Sequence, residues 1–372
     1  MESPSTTVEP SVDEERRKQA LLERMRQSRA QNPIPPRSRG LDAAPPRSRA
    51  AQVADILRQL DELPRSRGAA SISPATQRAL EKAMLPQYNF PWYSNTHETM
   101  ADTALAAMPE FVQQVVGLHK GFFVLGVVAP DKLYKDSVNH VYHTSAARTG
   151  QGFVGYGHSK VAQKLKLLQG MLAHADDLRL DKQAARFLQG IATRPCQLIA
   201  YEMGVLSHYI CDLTQPFHTD QMERWEGRLF DETLCHKSFE ADVRDGGLER
   251  LAAESEMIPP VAIDDPAAFA VSVAQASSSH YSTIVRTYYA GPGKLIGRGE
   301  ERLLNAWAIS QECFNQAIWA THSLWMAAGN YEKKLTASFS QDIALHEAGQ
   351  LFSPDSAYLA RLVNDEVVLK KG

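Results

Sequence analysis

Two pairs of residues in this 372-residue chain set an imidazole and a carboxylate four positions apart: His208 with Asp212, and His236 with Glu240. On a helix that spacing puts both groups on one face, one turn apart, where they either grip one metal ion together or form a plain ion pair. His218 comes ten positions after His208, about 15 Å of rise on an unbroken helix and too far to share an ion. Pro216, just before it, predicts a bend. His218 then either serves a neighbouring metal or swings back after the turn. His218, His236 and Glu240 would make a three-ligand site of two nitrogens and one oxygen with an open position, a composition that suits catalytic zinc. Two more segments carry the same residue types: Asp131 with His140 and His143, and Trp92 with His97. A single histidine on a helical face is more often a core or surface residue than a ligand. The accumulation of nitrogen and oxygen donors, with no cysteine pair in ligand spacing, points to a catalytic metal site and away from a structural zinc finger.

These residues fall in a part of the chain with a helical texture. From Asn89 on, apolar periodicity predicts helices over about 97–117, 158–175, 183–193, 196–214, 236–250, 265–288 and 298–330. The run FFVLGVVAPD at 122–131 is apolar enough for a strand and ambiguous in its helical setting. Gly291-Pro292-Gly293 predicts a break between two helices. The expected fold is all-α, with a catalytic domain at 91–335, a C-terminal extension at 336–372 and a largely disordered arm at 1–90. The phrase PPRSRG at 35–40 recurs as PPRSRA at 45–50 and PRSRG at 64–68 in that arm. Its Pro, Arg and Ser content supplies no core. Short amphipathic stretches lie between the repeats, so the arm reads as a solvated linker or as an export, pro-segment, partner-binding or lipid-docking segment.

Charge and composition narrow the function class. The net charge of −3 argues against a dedicated nucleic-acid binder, and no stable nucleic-acid partner is expected. The arm carries 15 Lys/Arg against 11 Asp/Glu, and residues 91–372 carry 25 against 32. A negative domain acting on phosphate esters needs local positive charge, which a bound metal supplies. Cys196, Cys211, Cys235 and Cys313 form no CxxC pair and read as buried free thiols. The N-terminus lacks the apolar core of a Sec signal peptide, and no run of 18 apolar residues predicts a membrane span. The expected location is cytoplasmic, or outside the cell by another export route.

The segment HYICDLTQPFH, 208–218, resembles the H-Y-x-x-D-x-x-x-P-x-H signature of the zinc-dependent phospholipase C and single-strand nuclease superfamily. The likeness extends over about 92–330. It takes in the run ending at Asp131, the Asn139-His140 segment, His236 through Glu240, and the helical stretch 301–325. It implies an all-helical catalytic domain and two to three zinc ions. Asp131, His140, His208 and Asp212 would hold one, and His218, His236 and Glu240 a second. The third would take His97 and share Asp212. Its last ligand in secreted relatives is an N-terminal Trp, through its free amine and carbonyl oxygen. Trp92 precedes His97 by five residues but is internal to this chain, so it is either that ligand after cleavage or a side chain packing at the mouth of the site. Asp131 is also the residue expected to orient or deprotonate the attacking water. Lys132 stands where choline-preferring relatives carry an aromatic, which weakens an aromatic choline site and makes Lys132, with Tyr142, a candidate for substrate binding.

The function this implies is hydrolysis of glycerophospholipids at a membrane surface to diacylglycerol and a phosphorylated head group. The alternatives are a single-strand nuclease or 3′-nucleotidase on the same metals, with Tyr142, Phe153, Tyr156 and Trp225 available for stacking, or a non-enzymatic secreted effector. The internal position of Trp92 gives a direct test. A free α-amino group yields its proton to a metal near neutral pH, whereas an amide does so only at great cost. A chain beginning at Trp92 is expected to bind one more zinc and turn over faster than the 372-residue chain. Equal zinc content by elemental analysis and equal rates would reject cleavage as an activating step.

Overall fold

The computed structural model describes residues 94–134, 136–150, 153–174, 184–185, 188, 191–192, 194–222, 224–230, 232–355 and 358. The arm at 1–90 and Trp92 lie outside the described residues. All described residues belong to one compact unit, 68–372.

The first elements are α1 (Ser94–Leu105), α2 (Glu110–Leu118) and α3 (Lys120–Ala129). A π-helical turn (Pro130–Tyr134) and a 3-10 turn (Ser137–Asn139) lead into α4 (Thr144–Thr149) and α5 (Gly157–Ala173). After them come α6 (Pro195–Asp212), α7 (Pro216–Thr219), the hairpin β1 (Arg224–Trp225) and β2 (Arg228–Leu229), α8 (Glu232–Gly246) and α9 (Leu248–Ala253). The last are α10 (Pro266–Ser278), α11 (Tyr281–Tyr288), the hairpin β3 (Tyr289–Gly291) and β4 (Lys294–Leu295), α12 (Gly299–Ala328) and α13 (Tyr331–Glu347). The fold is all-α, as its periodicity predicts.

The differences from the sequence-based expectation have local causes. The helix expected over 97–117 is two helices, because Pro109 serves as the N-cap of α2 and cannot continue α1. The stretches 236–250 and 265–288 are likewise each split into two helices. The ambiguous run 122–131 is helix α3 leading into the π-helical turn. Six of the ten α3 residues are buried, so it lacks the polar face that identifies a helix by pattern. The Gly291-Pro292-Gly293 break is the tip of the β3–β4 hairpin, with Gly291 at φ 138° and Gly293 at φ 66°. The line drawn at 335/336 falls inside α13, whose Leu335, Phe339 and Asp342 are buried, so residues from 336 onward begin within a packed element.

Helix α6 is the axis of the domain. Residues 196–212 are all buried, and the helix packs on α1, α3, α5 and α12. Pro195 opens it at a position where a missing N–H is harmless, and the Arg194 N–H donates to Gln197 Oε1 at 3.2 Å. The crossing with α3 is backbone on backbone. A Cβ on Gly126 would come within 2.0 Å of the Tyr201 carbonyl oxygen, and one on Gly204 within 2.3 Å of the Phe123 carbonyl oxygen. Glycine is therefore required at both positions on steric grounds. Alongside the crossing, Lys164 of α5 pairs with Glu202 of α6 at 3.1 Å, both side chains fully buried.

The close approach has a measurable consequence. Gly204→Ala should destabilise the protein by on the order of 3 kcal/mol, because the added methyl meets backbone that cannot move aside without separating two helices. Gly170, in helix α5, has nothing within 4 Å of the same added atom. Gly170→Ala should stabilise by about 0.5–1 kcal/mol, the gain of removing glycine from a helix interior. Denaturant unfolding of the two variants tests this, and similar effects of the two substitutions would refute the steric argument.

Candidate metal centre

The α3–α6 crossing places the ends of both helices side by side. His208 lies one turn beyond Gly204, and its Nδ1 donates to the Val127 carbonyl oxygen of α3 at 2.7 Å. Asp131 follows in the π-helical turn, within 3.6 Å of His208 Nε2. Asp212 ends α6, one turn beyond His208. It stands 3.2 Å from His208 Nε2, 2.7 Å from His140 Nδ1, 3.3 Å from His97 Nε2 and 3.5 Å from His218 Nδ1. Among the described residues its ion-pair partners are all imidazoles. Burial alone would raise the Asp212 carboxyl, but His208, His140, His218 and His97 hold it well below the usual range.

The bend expected at Pro216 is present. Helix α6 stops at Asp212, and Gln215 caps the short α7 by accepting from the Phe217 N–H. The chain therefore turns back instead of carrying His218 a further 15 Å along the helix axis. His218 Nδ1 donates to the His140 carbonyl oxygen at 3.0 Å, which aims Nε2 at His236 Nε2, 3.2 Å away, and at Glu240 Oε1, 3.8 Å away. His236 and Glu240 approach within 2.6 Å across one turn of α8. Gln215 also donates through Nε2 to Glu240 Oε1 at 3.1 Å, so one side chain both caps α7 and holds a carboxylate of the site.

Three sets of donors thus converge: His97, Asp131 and His208; His140, His208 and Asp212; and His218, His236 and Glu240. The hydrogen bonds fix how the rings face one another. His208 spends its Nδ1 proton on a carbonyl, which can only accept. His140 turns Nε2 toward Asp136 Oδ1 at 3.3 Å. In their neutral forms both rings then present bare lone pairs to one another, with His208 Nε2 3.2 Å from His140 Nδ1, and both face Asp212. That arrangement is repulsive unless a cation lies among the donors. Protons can fill the role. Burial would lower both imidazoles, yet Asp212 and the carboxylates beside it push His140 up to about 10 and His208 up to about 9. A divalent metal fills the same role and displaces those protons.

A second His/Cys/Asp cluster gives the opposite answer. His119, Cys196 and Asp342 also lie close together and buried. There Arg194 already neutralises Asp342, and His119 Nε2 completes the contact at 2.9 Å. Burial pushes the Cys196 thiol well above its usual range, so it stays protonated. That cluster is an ion-paired clasp holding α13 to the domain. All four cysteines are buried free thiols, and Cys211 contacts Thr321 instead of the site.

The remaining sequence candidates divide. His143 is buried outside the cluster and bonds the Phe153 carbonyl oxygen through Nδ1 at 2.9 Å. Tyr142 is half-buried with its ring against His158. Lys132 is buried next to Asp131, and burial lowers its ammonium to about 8 against the opposing pull of Asp131. Sequence reasoning passed over Tyr209, Gln215 and Asp136. The first two sit inside the 208–218 signature. Asp136 stands four before His140, the same acid–histidine spacing read in reverse.

Helices that meet at one crossing and surround a buried histidine–carboxylate cluster define a helical domain built to hold cations. The family profile described as "Zinc dependent phospholipase C" matches residues 96–288, more than half of the chain, and the chain belongs to that family. Zinc is the cation this implies. No curated protein and no solved structure matches the chain.

The geometry separates Asp212 from His143. Asp212→Asn is expected to lower zinc content and to reduce hydrolytic activity at least about a hundredfold, because one carboxylate faces four imidazoles. His143→Ala should keep its zinc and most of its activity. Elemental analysis with steady-state rates would expose a wrong assignment if the two variants behaved alike.

Proposed function

We propose that this chain is a zinc-dependent phosphodiesterase of the phospholipase C type. It would cleave glycerophospholipids to diacylglycerol and a phosphorylated head group. The observation that carries the reading is the convergence of the His140 and His208 lone pairs on Asp212, with the His218, His236 and Glu240 set beside it, in a member of this family. In this reading Asp131, His140, His208 and Asp212 hold one zinc and His218, His236 and Glu240 a second. His97 contributes with Asp212 to a third, giving two to three per chain. Bound zinc supplies Lewis-acid charge for the phosphoryl oxygens and acidifies a water near phosphorus.

The chain's own residues do the positioning. Asp131 is the outermost carboxylate of the cluster, with 29 % of its side chain exposed against 1 % for Asp212 and for Glu240, so it is the one able to face an incoming water and orient it. Lys132 adds a cation beside the cluster and would favour anionic head groups.

A lipid substrate is favoured by the surface beside the site. Val138, Phe153 and Tyr156 are 44 %, 45 % and 58 % exposed. Backbone bonds tie these loops to the segment carrying His140: Tyr156 N–H to the Val138 oxygen at 2.8 Å, His143 N–H to the Val154 oxygen at 2.7 Å, and Gly157 N–H to the Val141 oxygen at 3.0 Å. Exposed apolar side chains next to a cluster that would hold zinc suit a substrate with an anionic head and apolar tails. Among the described residues no single helix is long and apolar enough to cross a membrane.

Phe153 and Tyr156 could equally stack nucleobases, so the decisive measurement is comparative. Purified protein should release phosphorylated head groups from mixed phospholipid vesicles, leave single-stranded DNA intact, and lose all activity on chelation. DNA cleavage without lipid cleavage would establish the nuclease. Zinc-free protein inactive on both substrates would leave a binding module.

A further inference from the structure

His140 differs from its neighbours in how it meets the cluster. His208 and His218 both donate Nδ1 to a backbone carbonyl and turn Nε2 inward. His140 turns Nδ1 inward, 2.7 Å from Asp212 Oδ2, and its Nε2 meets a carboxylate instead, Asp136 Oδ1 at 3.3 Å. A neutral imidazole carries one N–H. Whichever nitrogen holds it cannot be a ligand, so the group behind the ring decides the donor atom.

Asp136 is itself held by three further side chains. Tyr209 OH lies 2.9 Å from Oδ2 and 3.1 Å from Oδ1. Asn139 Nδ2 donates to Oδ2 at 2.8 Å, and Lys160 Nζ stands 3.5 Å from the same oxygen. Among the described residues the ion pair of Asp136 with the cluster is the one to His140. Tyr209 lies between His208 and Asp212 in sequence and ties the second layer to α6. Lys160 lies over the rings of both Tyr209 and Tyr134. A carboxylate so restrained stands at a set position behind the His140 ring.

We propose that Asp136 is the positioning residue that makes Nδ1 of His140 a metal donor, by accepting the Nε2 proton while Tyr209, Asn139 and Lys160 hold it in place. The inference rests on the metalloenzyme reading above and concerns metal affinity before activity. Loss of Asp136 leaves His140 free to rotate or to keep its proton on Nδ1, which weakens the site containing His140 and spares the His218, His236 and Glu240 site. Outer-layer partners of this type are worth about 10–100-fold in metal affinity.

The test is a zinc titration of the metal-free full-length chain against a chromophoric chelator, for the wild type, Asp136→Asn and Tyr209→Phe. Asp136→Asn should keep the wild-type number of sites, with one weakened about 10–100-fold and the others unchanged. Tyr209→Phe keeps the carboxylate and removes its phenol restraint, so the same site should weaken by a smaller factor. Substituting Co²⁺ adds a readout that simple destabilisation does not move: the visible bands of one site should shift in Asp136→Asn and those of the other should not. Unchanged affinity at every site, or a uniform weakening of all sites, would overturn the inference. If Asp136→Asn does not fold, Tyr209→Phe decides, and unchanged affinity there would overturn it too. A wild type that binds no zinc would instead sink the metalloenzyme reading on which this one stands.

Discussion

Backbone contact between α3 and α6 at Gly126 and Gly204 is the constraint on which the site depends. With any side chain at either position the helices would stand further apart. The bond from His208 to the Val127 carbonyl would then open, and Asp131 would move away from His208. The distances within the cluster are thus set by a steric fact one helical turn away. Together with α1, α5 and α12, α3 buries residues 196–212 of α6, so the polar residues among them must find partners inside the protein.

Those partners come in two forms. Glu202 has Lys164 and Asp342 has Arg194 with His119, and each carboxylate finds its countercharge in a side chain. Asp212 has only imidazoles among the described residues, and an imidazole is a countercharge only when protonated. Asp212 ends α6, and Glu240, midway along α8, likewise has His218 and His236 beside it together with Gln215. This difference, more than the number of histidines, marks the cluster as a place that accepts an external cation.

A second layer gives the cluster its geometry. Carbonyls behind His208 and His218 fix which nitrogen faces inward, and Gln215 fixes Glu240. The loops that complete this layer also carry Phe153 and Tyr156 outward, so the apolar rim and the polar interior are two sides of the same hydrogen-bonded segment. The exposed apolar side chains are thereby held at a set distance from the buried histidine–carboxylate cluster.

The chain by itself determined the local facts. Four-residue spacings placed His208 with Asp212 and His236 with Glu240, because helical neighbours are fixed by the pitch of the helix. Pro216 announced a bend because it lacks a donor, and the signature around them pointed to the family. Helical class was legible from periodicity, except in α3, where burial on every side removes the polar face that makes a helix readable. The tertiary structure decided what depends on contacts between distant segments. It brought His97, Asp131 and His140 to Asp212 and turned His143 away to a backbone carbonyl. It put Asp136 behind His140 and carried α13 past the expected domain edge into the core through Asp342. No spacing along the chain encodes these outcomes, because they are set by where two glycines let α3 and α6 touch.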